Sequence, residues 1–260
     1  MQVINMNDTS AFLNYQAPKD LLQDKIILVT GAGDGIGKAA ALSFASHGAT
    51  VVLLGRTLSK LERVYDEIEA SGGPQPAIFP MNLEGAAEHD YQAMHDTLNE
   101  EFGHLDGLLL NAGQLGPRTP IANYAFSEWQ KVMQVNVNSP FLMVKALWPL
   151  LNNAKSASIL FTSSSVGRVG RAYWGGYAVS KAAIENLMQT LADECSSTSN
   201  VRVNSINPGA VRTKMRSEAY PAENPATVTD PISIMNRYLY LMGDESIALN
   251  GLQFDAQPKP

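Results

Sequence analysis

Tyr177 and Lys181 lie four residues apart, and Ser164 precedes the tyrosine by thirteen. On a helix, residues at that four-residue spacing share a face, so the Lys181 ammonium stands beside the Tyr177 phenol. A free phenol has a pKa of about 10, and a neighbouring cation lowers it by favouring the phenolate. Ser164 falls at the end of the stretch Ile159–Ser165, which is apolar and then rich in hydroxyls. That pattern suits a buried strand emerging at an active-site edge, where a serine hydroxyl donates to an oxygen gaining negative charge. A serine to hold the oxygen, a tyrosine to move a proton and a lysine to tune it are the parts for carbonyl reduction or alcohol oxidation.

Such a trio needs elements to position it. Ile26–Thr30 is a short β-branched run and reads as a buried strand. The segment Thr30-Gly31-Ala32-Gly33-Asp34-Gly35-Ile36-Gly37 follows it and opens a helix over Ile36–His47, stopped by Gly48. Glycines there let the backbone approach a pyrophosphate, and the helix N-terminus attracts its charge. Thr50–Leu54 is a second strand, and Thr57 is a candidate cap for a helix with Leu58, Leu61, Val64, Tyr65 and Ile68 on one side. Strands follow at Ala77–Met81, Leu105–Leu110, near Ile159, at Val201–Ile206 and near Leu252–Phe254. Helices fall at about 86–101, as one long run over 127–153, and around Tyr177. This alternation predicts an α/β fold: a single-domain, doubly wound parallel sheet of about seven strands with helices on both faces. Residues 1–20 read as an N-terminal arm, mobile or packed on a neighbour, and residues 21–260 as the nucleotide-binding catalytic domain.

The second strand ends Leu54-Gly55-Arg56. An acidic residue near this point grips the ribose 2′-hydroxyl of NAD, whereas an arginine accommodates the 2′-phosphate of NADP. Arg56 therefore predicts NADP(H), with Asp34 as a contrary charge in the glycine turn. Asn111-Ala112-Gly113 ends the fourth strand with small residues that let the backbone pass a ribose. Pro208-Gly209 and Thr213 follow the sixth strand at the same carboxyl edge, where ligands of such sheets bind.

Composition narrows the class. The 260 residues are 45% hydrophobic and carry a net charge of −6 without a basic run, which disfavours nucleic acid as a partner. The one cysteine, Cys195, excludes an intrachain disulfide. His47, His89, His95 and His104 are scattered, so no metal site is expected. No apolar run is long enough to cross a bilayer, and Met1–Ser10 lacks the form of a secretory signal, so a cytoplasmic protein is the simplest expectation.

Together, TGxxxGxG at Thr30–Gly37, NAG at Asn111–Gly113, Ser164, YxxxK at Tyr177–Lys181 and PGxxxT at Pro208–Thr213 resemble the short-chain dehydrogenase/reductase family, in its order and over about residues 22–255. Within it, the stretches Leu21–Gly37, Thr162–Gly170, Tyr240–Asp244 and Phe254–Pro258 are similar to the bacterial YciK-type subgroup, which is described as oxoacyl reductases without that activity being established. The resemblance implies a Rossmann fold and a homodimer or homotetramer. It implies Tyr177 as general acid and base, Lys181 on the nicotinamide ribose, Ser164 on the substrate carbonyl and Asn136 as fourth catalytic member, with Asn138 the other candidate. Thr213 and the Val211 backbone would face the carboxamide and phosphates. Asn82 and Leu83 would lie near the adenine, although Asn82 stands where the family commonly has aspartate. Pro140 lacks the N–H that would engage the Asn136 carbonyl, which frees it for a water relay to Lys181.

Three questions stay open in the residues. Arg212, Lys214 and Arg216 read either as a solvated loop or as contacts for the phosphate of an acyl thioester. Tyr173 and Trp174 either wall the pocket or simply pack. The substrate is a 3-oxoacyl thioester or a smaller ketone, aldehyde or secondary alcohol. The competing class is a non-catalytic redox sensor that binds NADPH and reports to a partner.

Overall fold

The computed structural model describes residues 12–258. Seven strands form one sheet: β1 Ile26–Thr30, β2 Thr50–Gly55, β3 Ala77–Pro80, β4 Gly107–Leu110, β5 Ala157–Thr162, β6 Val201–Asn207 and β7 Gln253–Asp255. Their order is β3-β2-β1-β4-β5-β6-β7 and every pair is parallel. The interior strands are apolar along their whole length because helices cover both faces; β1, β4 and β5 are buried almost throughout. One face packs against α1 (Gly35–Ala45) and α8 (Met235–Met242), around Ile27, Phe44 and Tyr238. The other packs against α3 (Glu88–Glu101), α5 (Ser139–Asn153) and α7 (Gly175–Cys195), around Leu28, Leu147 and Met188. Helix α2 (Leu58–Ala70) buries Leu61, Val64 and Ile68 of the stripe its spacing predicts, with Tyr65 half-buried beside them and Leu58, at the first turn, exposed. From β1 the chain builds outward to β3 and then returns to β4, so the order reverses between β1 and β4 and opens a crevice at their carboxyl ends.

Three expectations need correction. The long helix over 127–153 is broken: α4 (Phe126–Met133) passes into a π-turn over Gln134–Asn138 before α5 begins. There the Ser139 N–H donates to the Gln134 carbonyl, one residue beyond the α-helical partner. Thr57 occupies the N-cap of α2, yet its hydroxyl makes no capping bond. The first eleven residues of the arm lie outside the described residues, but the rest packs on the chain's own core. Phe12 is buried 5.8 Å from the Tyr240 ring and 5.1 Å from Phe254, and Arg237 donates to the Leu13 carbonyl. The apolar side chains Phe12, Leu13 and Tyr15 explain this, since leaving them in water costs more than ordering the segment.

Candidate active site

The glycine turn is built around Thr30. Its hydroxyl donates to the Leu109 carbonyl (3.2 Å) and accepts from the N–H groups of Asn111 and Ala112 (both 2.9 Å), tying the end of β1 to the segment after β4. Gly31 adopts φ 71° and Gly35 φ 54°, in the left-handed region that favours glycine. A Cβ at Gly37 would lie 2.2 Å from the Gly31 carbonyl oxygen, so only glycine lets α1 start this close to the turn. Asp34 caps α1 by accepting from Gly35 N–H at 2.8 Å, and Lys60 Nζ sits 2.6 Å from its other oxygen. The Lys60 ammonium holds the Asp34 carboxyl below its usual range. The charge that reads in sequence as an obstacle to a second phosphate is thus already paired.

The crevice has a volume of about 650 Å³. Gly31, Gly33, Asp34, Gly35, Ile36 and Arg56 line its end beside β1 and β2, with Asn82 and Leu83 next to them. Asn111, Ala112 and Gly113 form the floor, and Pro208, Gly209, Val211 and Thr213 the opposite edge. Ser164, Tyr177 and Lys181 line the remaining wall. Gly37 and Asn136 do not line it; Gly37 is packed beneath the turn, and Asn136 lies behind the floor. Thr57, Lys60, Leu115 and Tyr220 do line it without belonging to any motif. Of these only Lys60 carries a sequence signal, a cation four residues after Arg56 at the start of a helix; its partner Asp34 is brought near by the fold.

Lys181 is only 4% exposed, and its ammonium donates to the Thr162 carbonyl at 2.7 Å. Burial lowers its pKa to about 8, against the pull of the Glu185 carboxylate. Lys181 Nζ lies 5.6 Å from the centre of the Tyr177 ring. Burial pushes the Tyr177 phenol up to about 12, and a hydrogen bond with Ser164 draws it back only in part. This reverses the direction expected from the Tyr177–Lys181 spacing, because a buried phenolate loses more hydration than one partner restores. Ser164 is the extended residue that starts the short helix α6 (Ser165–Arg168), which puts its hydroxyl at the end of β5.

Asn136 is almost fully buried. Its Oδ1 accepts from Gln114 N–H (2.8 Å), while Nδ2 donates to the Gln114 carbonyl and the Ser180 hydroxyl (both 2.9 Å). It therefore clamps the segment after Asn111-Ala112-Gly113 to α7 beside Lys181, and the π-turn is what aims it there. Asn138 is exposed and donates to Gln134 Oε1 at 2.9 Å, away from the crevice.

Trp174 lines the crevice with its ring 5.8 Å from that of Tyr177, whereas Tyr173 is exposed at φ 69°. The basic cluster is neutralised by its own loop. Arg216 makes a two-bond fork to Glu223 (2.6 and 2.5 Å) and lies 3.8 Å over the Tyr220 ring; Arg212 pairs with Asp230; Lys214 Nζ is 3.9 Å from Glu218. Cys195 is buried, and burial raises its thiol pKa. Among the described residues, no three His, Cys, Asp or Glu side chains gather as a metal site would require, and no helix is long and apolar enough to cross a membrane.

Residues 25–224 match the family model described as short chain dehydrogenase. The chain is 49% identical over 246 residues to the uncharacterized oxidoreductase YciK of Escherichia coli K12, covering 95% of this chain and 97% of that protein. A solved short chain dehydrogenase from Pseudomonas syringae shares 54% identity and superposes with a TM-score of 0.93, over 94% of this chain and 99% of that one. Another, from Escherichia coli CFT073 and complexed with NADPH, shares 49% identity with a TM-score of 0.91, over 93% and 100%.

Proposed function

The chain belongs to the short chain dehydrogenase family of oxidoreductases, and from that premise we propose that it is an NADP(H)-dependent reductase of a carbonyl group, working in reverse on a secondary alcohol. The observation that carries this reading is the convergence of Ser164, Tyr177 and Lys181 on the crevice that also holds the glycine turn and Arg56. A redox sensor would need the turn and Arg56 but not the trio.

The residues present fit the cofactor. The turn at Gly31–Gly37 brings the backbone close to the crevice without side chains in the way, and Arg56 lines the crevice where a 2′-phosphate is read, while Lys60 cancels the opposing charge of Asp34. When bound, the nicotinamide supplies or accepts the hydride. Ser164 donates to the substrate oxygen, and Tyr177, protonated at neutral pH, delivers its proton to that oxygen in reduction. Lys181 holds the ribose and places a positive charge beside the phenol as it loses its proton. Asn136 keeps Gln114 and α7 in register, and Pro140 supplies no N–H to its carbonyl, which supports a water relay from Lys181.

The paired arginines favour a small ketone, aldehyde or secondary alcohol over a 3-oxoacyl thioester that carries phosphate. Exposed Phe126, Phe141 and Val179, on α4, α5 and α7, support self-association through those helices.

The test is NADPH consumption against matched free ketones, aldehydes and 3-oxoacyl thioesters. Tyr177→Phe should cost roughly 10²–10⁴-fold on any good substrate; near-native turnover would refute the assignment. A thioester preference abolished by reversing the charges at Lys214 and Arg216 would reinstate the thioester.

A further inference from the structure

Ser164 stands on α6, whereas Tyr177 and Lys181 stand on α7, so something must hold the two helices in register. Two contacts do so. The first is at Gly167, where a Cβ would lie 2.7 Å from Lys181 Cβ and 2.8 Å from its carbonyl carbon; α6 is seated directly on the backbone of Lys181. The second is ionic. Arg168, the last residue of α6, extends its guanidinium in three directions: Nε to Glu185 Oε1 (3.4 Å), Nη1 to Asp255 Oδ1 (2.8 Å) and Nη2 to the Phe254 carbonyl (3.0 Å).

Glu185 is the next residue on the Tyr177–Lys181 face of α7 and is only 4% exposed. Its other oxygen accepts from Ser205 Oγ (2.6 Å) and Gln253 Nε2 (3.0 Å). Asp255 Oδ1 also accepts from Asn207 Nδ2 (2.9 Å), and Asn207 Oδ1 accepts from Gly209 N–H (3.2 Å) on the opposite edge of the crevice. Glu185 is buried while 21% of the Arg168 side chain stays exposed, and an ion pair with one partner so far out of water is a poor source of stability compared with apolar packing of the same volume. What this one offers is direction: a planar fork fixes α6 to α7 and to β7 at once, and joins the Ser164 segment to the Pro208-Gly209 edge.

We infer that Arg168 and Glu185 are positioning residues, a strut anchored on the buried Glu185 carboxylate that sets the Ser164 hydroxyl against Tyr177 and Lys181. For its kinetic consequence the inference rests on the proposed carbonyl reductase activity; for its structural content it does not.

The test uses Arg168→Lys, which keeps the charge and loses the fork, and Glu185→Gln, which keeps the shape and loses the charge. In both, amide exchange over residues 163–169 should accelerate while β2 stays protected. Unchanged exchange in that segment overturns the strut, whether or not any substrate is known. On a carbonyl turned over by the wild type, Arg168→Lys should lower kcat about 10- to 100-fold, the cost of a reacting group misplaced by about an ångström, with little change in NADPH affinity. In a Ser164→Ala background the same substitution should cost less than about threefold, because the group it positions is gone. Equal losses in both backgrounds would show that Arg168 acts on stability alone and overturn the positioning role. If the wild type reduces no carbonyl, the functional reading fails while the exchange result still decides the strut.

Discussion

Lys181 is held in a place that resists its charge, and Lys181→Met turns that into a measurable pH dependence of stability. The ammonium is 4% exposed, donates to the Thr162 carbonyl, and titrates at about 8 instead of 10.5. Between those two values the unfolded lysine keeps a proton that the folded one has released. The unfolded state binds more protons there, so wild-type stability rises with pH across the window. The full shift corresponds to about 3.4 kcal/mol at about 1.36 kcal/mol per pKa unit, present below pH 8 and removed by pH 10.5. Integrated from pH 7 to pH 10, the wild type should gain about 2.5 kcal/mol relative to a variant that has no charge to lose. Methionine is unbranched and apolar, so it follows the same channel; it leaves the Thr162 carbonyl without its donor, at about 1–3 kcal/mol. At pH 7 the two effects nearly cancel or leave the variant more stable, and by pH 10 the wild type should be ahead. Urea unfolding of cofactor-free protein at pH 7, 8, 9 and 10 measures the difference directly. Parallel stabilities within about 0.5 kcal/mol over that range would refute the reasoning, because Lys181 would then carry its charge throughout.

The remaining predictions concern the same crevice. With the Tyr177 phenol at about 12, its proton is in place for reduction at any ordinary pH but must be removed for oxidation. Alcohol oxidation should therefore accelerate from pH 7 to pH 8, approaching about tenfold per unit, and level off above pH 8 as Lys181 loses the charge that supports the phenolate, while carbonyl reduction shows no loss from phenol ionisation; an oxidation rate that falls between pH 7 and pH 8 contradicts the assignment. Arg56→Ala should lower the NADPH-to-NADH affinity ratio by roughly 10- to 100-fold, the worth of a charge-assisted bond, as read by calorimetry with both cofactors; an unchanged ratio removes Arg56 from the site. Gly37→Ala drives a Cβ to 2.2 Å from the Gly31 carbonyl oxygen, whereas Gly85→Ala meets nothing within 4 Å. The first should lose about 1–3 kcal/mol or more and most NADPH binding, and the second neither, by thermal melting and calorimetry.

The sheet and the segments that meet at the crevice were legible in local residue patterns. Continuous β-branched runs such as Ile26–Thr30 and Thr50–Leu54 specify buried parallel strands from their own composition, and each lies within a residue of its observed limits. Thr30–Gly37, Asn111–Gly113, Ser164 and Tyr177–Lys181 announce the crevice because the required residue types and spacings are local along the chain. Whatever depends on neighbours from elsewhere in the chain came only with packing. Lys60 reaches Asp34 across 26 positions and removes its objection to phosphate. Glu223 and Asp230 pair with Arg216 and Arg212 across the loop. A π-turn aims Asn136 at Gln114 and Ser180, and aromatic burial seats Phe12 on the chain's own core, where composition predicts an arm either mobile or packed on a neighbour. The proton affinity of Tyr177 is the clearest case. Its spacing from Lys181 argues for a lowered value, while the whole fold withdraws water from the phenol and raises it. Spacing is a property of the chain, but hydration is a property of everything packed around it.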